Sequence, residues 1–295
     1  MGVLPSQKVA ALYEQFKTID LSFNKAIIEV TGIIMQQISI KCGGDSFPCV
    51  IYSSSFQGAR IATTAKILPR LQENNNAVNL KFCFKKPDAN PLTFFVSARS
   101  IGYAPYGNQN DMSIFNLQFT QQPPDDLIEI IGRVLETTAN ASARSNEHIT
   151  ITENTQRRLN LSSKDISVFI QGVPRRCILR ALSFSSAKIV MMGISKFLVK
   201  KEVVLKVEFM EPTEGFLIKG IFSSAEAVNG RKDLLALTVQ FDEAEIPFAY
   251  KMRINDYITM NRAGDRTEQA NPVVQKSSFN AQQSPSTAQI TASQG

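Results

Sequence analysis

Cys49-Val-Ile-Tyr-Ser-Ser-Ser-Phe-Gln-Gly-Ala-Arg-Ile61 returns later in the chain as Cys177-Ile-Leu-Arg-Ala-Leu-Ser-Phe-Ser-Ser-Ala-Lys-Ile189, at an offset of 177 − 49 = 128. The Cys, one Ser, the Phe, one Ala and the final Ile are identical, and Val/Ile, Ile/Leu and Arg/Lys keep their character. Val78-Asn-Leu-Lys-Phe-Cys-Phe-Lys-Lys-Pro87 pairs with Val203-Val-Leu-Lys-Val-Glu-Phe-Met-Glu-Pro212 at 212 − 87 = 125. Ile114-Phe-Asn-Leu-Gln-Phe119 pairs with Ala236-Leu-Thr-Val-Gln-Phe241 at 241 − 119 = 122. Three blocks in one order with a slowly drifting offset describe a duplicated domain. Solenoid periods are far shorter, about 20–50 residues.

The 295 residues suit two domains with linkers, and 43% hydrophobic content is ordinary for globular cores. No apolar run reaches the ~18 residues of a membrane-spanning helix. The N-terminus shows no basic start followed by an apolar stretch, so a cytoplasmic location is expected. Cys42, Cys49, Cys83 and Cys177 match no zinc spacing, and three of them fall in strand-like apolar runs, which favours buried reduced thiols. A net charge of +6 and a pI near 9.1 suit an anionic partner.

Ser6 to Phe16 reads as a helix, with Val9, Leu12, Tyr13 and Phe16 at helical spacing. Short β-type runs follow: Ile27 to Val30, Ile33 to Cys42, Cys49 to Ser53, Gly58 to Ala62, Val78 to Phe84, Thr93 to Ala98 and Met112 to Phe119. Many short strands separated by Gly, Pro, Asn and Asp point to a closed antiparallel barrel or sandwich. Pro123-Pro-Asp-Asp126 opens a helix whose stripe is Leu127, Ile130, Ile131, Val134 and Leu135. Thr137 to Asn146 reads as a linker or a frayed continuation. A second set of strands, from about Ile149 to Phe241, is followed by a terminal helix to about Met260, and the Gln-, Ser- and Thr-rich tail reads as disordered.

Catalytic patterns are absent. His148 is the only histidine and reads as an incidental surface residue beside the linker, so neither a histidine-based triad nor a His-rich metal site is available. Ser53-Ser-Ser55 lacks a base and reads as turn chemistry. No phosphate loop and no dinucleotide fingerprint occurs. These absences point away from an enzyme. The arginines, in contrast, cluster: none precedes Arg60, while Arg157-Arg158, Arg175-Arg176 and Arg180 lie close to the second repeat. Arginine's planar fork can hold a phosphate or the O6/N7 edge of guanine through two hydrogen bonds.

An Arg pair, then a strand running into Leu-Ser-Phe-x-x-Ala-x-Ile, then a barrel closed by a helix, resembles a PilZ domain over about Asn154 to Met260. The first repeat resembles a divergent PilZ-like barrel. The resemblance implies a mainly β fold of two antiparallel six-stranded β-barrels with short flanking helices, joined by a helix and linker. The implied organisation is an N-terminal helix at 1–25, a first barrel at 26–136, a linker at 137–153, a PilZ domain at 154–260 and a disordered tail at 261–295. It also implies a cyclic di-GMP receptor without a cofactor or metal, whose ligand changes the angle between barrels and whose state an unidentified protein partner reads. The implied ligand-binding residues are Arg157, Arg158, Arg180, Ser183 and Ser186.

The family's Arg-x-x-x-Arg and Asp/Asn-x-Ser-x-x-Gly motifs are incomplete. Leu161 stands at the final Arg, Ala181 at Asp/Asn and Ser186 at Gly. The first repeat keeps Ser55 and Gly58 but has no preceding arginine. Two other readings follow: an adaptor that has lost the nucleotide, and a basic nucleic-acid binder, which ranks last because no aromatics interleave with the basic residues.

Overall fold

The computed structural model describes residues 5–86, 89–107 and 109–269. Helix α1 (Pro5–Phe16) precedes the first repeat, which comprises β1 (Leu21–Ser22), α2 (Lys25–Thr31), β2 (Ser39–Cys42), β3 (Asp45–Ser54), β4 (Gly58–Thr64), α3 (Leu68–Glu73), β5 (Ala77–Lys86), β6 (Ala89–Tyr106) and β7 (Gln109–Phe119). Helix α4 (Asp125–Ala143) leads to the second repeat: β8 (Ile149–Thr150), α5 (Glu153–Arg158), β9 (Asp165–Ile170), β10 (Val173–Leu182), β11 (Ser186–Met192), α6 (Ser195–Leu198), β12 (Glu202–Phe209), β13 (Glu214–Val228) and β14 (Arg231–Phe241). Helix α7 (Phe248–Gln269) follows.

Each repeat closes on itself. Strands β2, β3, β4, β5, β6 and β7 form one antiparallel ring in the order β3-β2-β5-β6-β7-β4, sealed by the β3–β4 pairing. Strands β9 to β14 form the equivalent ring, β10-β9-β12-β13-β14-β11, sealed by β10–β11. The period-two pattern makes this possible: along β12, Val203, Leu205, Val207 and Phe209 are buried while Glu202, Lys206 and Glu208 face solvent. A ring leaves no open edge.

The copies match in detail. Leu21 pairs with Ser54 and Ile149 with Leu182, each 128 apart. Both hairpins carry a bulge, between Ile51 and Ser53 and between Leu179 and Ala181. Asn24 caps α2 through the Ile27 amide and Thr152 caps α5 through the Thr155 amide. Gly32 and Asn160 follow these helices with φ of 66° and 52°, the left-handed conformation that ends a helix. Isolated bridges then tie Ile33 to Phe84 and Leu161 to Phe209.

The expected strand at Ile27 to Val30 is thus a helix. Its three apolar residues have no period of their own, and the decisive signals are the Asn24 cap and the Gly32 stop. The helix expected to open at Pro123 continues through Ala143, with Ile128 fully buried on its inner stripe. Chain that reads as a tail is helical in α7 as far as Gln269, and residues 270–295 of the expected tail lie outside the described residues.

Two apolar cores fill the rings. Tyr250, Ile254 and Ile258 of α7 complete the second, with Tyr250 edge-on to Phe216 and Phe241 at centroid distances of 6.2 and 5.9 Å. Helix α7 also meets α4. Arg133 holds Asp256 in a two-pronged ion pair, Asn140 donates to Asn255 Oδ1 at 2.6 Å, and Asn255 donates to Glu136 at 3.3 Å. All four cysteines are buried and unpaired. Among the described residues no helix is long and apolar enough to cross a membrane.

Candidate functional site

The turn between β10 and β11 is held from within. Ser183 is fully buried; its amide donates to the Ser186 carbonyl at 2.8 Å, and its Oγ accepts from the Ser186 and Ser185 amides at 3.0 and 3.3 Å. The Ser183 and Ser186 hydroxyls lie 2.9 Å apart. Tyr250 donates its hydroxyl to the Ser183 carbonyl at 2.7 Å, and complete burial raises this phenol's pKa far above its ordinary value, so it stays a donor.

His148 belongs to this turn, contrary to its reading as an incidental surface residue. It is half-buried, with Nδ1 2.9 Å from the Asn146 carbonyl and Nε2 3.0 Å from Ser186 Oγ. A carbonyl only accepts, so Nδ1 carries the proton and, in the neutral ring, Nε2 accepts from the Ser186 hydroxyl. Ser185 Oγ donates to the Ser145 carbonyl at 2.8 Å. The segment bonded to the turn is therefore Ser145 to His148. Arg144 and His148 stand four apart there, a spacing that the sequence displays directly.

Arg157 and Arg158 sit on α5, a capped helix. Both are exposed, and the Arg158 guanidinium lies over the Tyr257 ring, 5.8 Å from its centroid. Tyr257 is two helical turns from Tyr250, roughly 10 Å along the axis. No described hydrogen bond joins either arginine to the turn. Arg180 is exposed at the β10 bulge, where the first repeat has Tyr52, and its carbonyl accepts from the Ile151 amide. The positions at which the family motif differs are packed: Leu161 is 3% and Ala181 6% exposed.

Beside the turn the outer face of the second barrel opens into a groove of about 1150 Å³. Pairing brings its walls together, since β12 sets Glu202, Val203 and Val204 opposite Ile221, Gly220 and Lys219. Lys200, Lys201 and Lys219 supply cations, while Phe169, Leu217 and Ile221 give an apolar floor. Glu202 and Asp242 are its acids, and Lys219 also lies 3.4 Å from Glu245. Gln240 links groove to turn through a 3.1 Å bond from Nε2 to the Ser185 carbonyl, and the Phe241 amide donates to the same carbonyl at 2.8 Å. None of the five residues expected to bind ligand lines this groove. Sequence reasoning missed the lysines because only the pairing of β12 with β13 brings Lys219 to Lys200 and Lys201. The groove can hold a flat apolar surface on its floor and anionic groups at its rim.

The family model of the PilZN3 domain matches residues 7–138, which cover most of α1, the first barrel and most of α4. A cyclic di-GMP binding protein from Treponema denticola is 40% identical over 267 residues, covering 89% of this chain and 85% of that protein. The chain belongs to the PilZ family. Among solved structures, the Borreliella burgdorferi PlzA protein in complex with c-di-GMP is 22% identical, covering 86% of this chain and 99% of its own, with a TM-score of 0.40. The Escherichia coli YcgR structure in complex with c-di-GMP is 10% identical, covering 88% and 99%, with a TM-score of 0.26. In this PilZ protein the two barrels treat the repeated turn differently: Ser186 and His148 fill the second, whereas Gly58 and Asp20 stand at the matching positions of the first.

Proposed function

We propose that this PilZ protein is a non-enzymatic, cytoplasmic cyclic di-GMP receptor and that the lysine-rimmed groove of its second barrel holds the ligand. The groove carries this reading, and the name of the Treponema denticola relative supports it. Lys200, Lys201 and Lys219 neutralise the two phosphates, Phe169, Leu217 and Ile221 receive a base, and the Asp242 carboxylate accepts guanine N–H donors. Ligand at Gln240 acts on the turn, and through Ser145 and His148 on the segment leaving α4. The resulting change in the relation of the barrels is what a protein partner reads.

Calorimetric titration of the full chain with cyclic di-GMP tests this. Losing one charge-assisted phosphate contact is worth about tenfold or more in affinity, so Lys201→Ala and Lys219→Ala weaken binding while Arg157→Ala changes it little. If Arg157→Ala and Arg158→Ala abolish binding and the lysine variants do not, the groove is the wrong place. If wild-type protein gives no heat at high micromolar ligand, the receptor reading fails. The adaptor reading, favoured by the internal saturation of Ser183 and Ser186, then replaces it.

A further inference from the structure

The first barrel keeps open what the second has filled. In the second, the Ser185 hydroxyl bonds Ser145, the Ser186 hydroxyl meets His148, and the Gln240 amide bonds the Ser185 carbonyl. At offsets of 128 and 122 the matching residues are Gln57, Gly58, Asp20 and Gln118. The backbone of the turn is preserved: the Ser55 amide donates to the Gly58 carbonyl at 2.9 Å and the Phe119 amide to the Gln57 carbonyl at 2.8 Å. Ser55 Oγ still accepts from the Gln57 amide at 3.2 Å, but the three outward side-chain bonds are not kept. Among the described residues Gln118 makes no bond to Gln57, and Gly58 offers no hydroxyl.

What remains is a cleft of about 480 Å³, lined by Asp20, Ser53, Arg60, Asn116 and Gln118 around Gly58. Asp20 and Arg60 share it, yet among the described residues neither forms an ion pair, with the other or with any third group. Opposite charges held apart in one cleft suit a ligand with N–H donors at one end and an anion at the other. Its volume lies within the range of small-molecule sites, about 300–1,000 Å³, and is less than half that of the groove.

We propose that this cleft is a second, separate site for a guanine mononucleotide. Its base presents adjacent N–H donors to the Asp20 carboxylate, and its phosphate meets the Arg60 guanidinium, with the Asn116 and Gln118 amides between. Adenine puts an acceptor nitrogen beside its amino group and would set a lone pair against the same carboxylate. The ligand class rests on the reading of this chain as a guanine-nucleotide receptor.

The experiment is calorimetry of the full chain with 5′-GMP, 5′-AMP and cyclic di-GMP in parallel. The proposal expects GMP to bind in preference to AMP. Arg60→Ala and Asp20→Asn, both surface changes, each weaken GMP at least tenfold. Absence of GMP binding at millimolar concentration, equal binding of AMP, or loss of GMP binding in Lys201→Ala but not in Arg60→Ala overturns it. Failure of cyclic di-GMP alone, with GMP binding intact and sensitive to Arg60, strikes the receptor reading and leaves this cleft standing.

Discussion

At the scale of single residues, the duplicated turn shows how one backbone accepts different side chains. A Cβ on Gly58 would stand 2.3 Å from the Leu117 carbonyl oxygen, a distance that backbone must yield to relieve. Ser186, at the matching place, carries a Cβ and a hydroxyl and spends the latter on His148. Gly58→Ala is therefore expected to cost about 1–3 kcal/mol, the usual price of forced overpacking, read as a lower denaturation midpoint in urea. No loss would mean that β4 and β7 are farther apart than described.

The buried thiols give a pH dependence. Burial pushes Cys49 and Cys177 up to about 12, from an ordinary value of 9.0. The unfolded chain gives up these protons near pH 9 while the native state keeps them, so unfolding gains as pH rises between about 9 and about 12. Stability from this source is intact below pH 9. Denaturation midpoints measured across that range should fall, and Cys49→Val with Cys177→Val should flatten the fall. An identical decline in the double variant would assign it to other groups.

At the scale of elements, much was legible and the exceptions have physical causes. The repeat could be read directly, because β3–β4 and β10–β11 are sealing hairpins whose inward residues have little freedom to vary. Even the drift has an address: the offset falls from 128 to 125 between β4 and β5, where α3 stands in one copy and the shorter α6 in the other. Helices α2 and α5 were not legible as helices, since each covers too few residues to show a period. Arg157 and Arg158 therefore lie on a helix that the sequence does not announce. The cap at Thr152, whose Oγ accepts the Thr155 amide at 3.1 Å, was the available sign. Thr152→Ala should lower stability by about 0.5–2 kcal/mol, typical of a lost cap, in a denaturant titration. It should leave cyclic di-GMP affinity nearly unchanged if the groove lysines hold the ligand. A large loss of affinity would return α5 to the site.

At the scale of the molecule, the proposed site depends on what pairing assembles from distant sequence. Lys200, Lys219 and Asp242 span more than forty residues and meet only because β12, β13 and β14 close a ring. No linear motif announces such a groove. The route from it to the rest of the chain is continuous: Gln240 to the turn, the turn to Ser145 and His148, and these to α4, which is itself clasped to α7 through buried Asn255. Backbone amide chemical-shift mapping of the full chain during titration with cyclic di-GMP tests the assignment most directly. The account predicts saturable shifts at Lys200 to Val204, Lys219 to Ile221 and Gln240 to Asp242, with smaller ones spreading to Ser145 and His148. Shifts confined to α5, or none at saturating nucleotide, would contradict it.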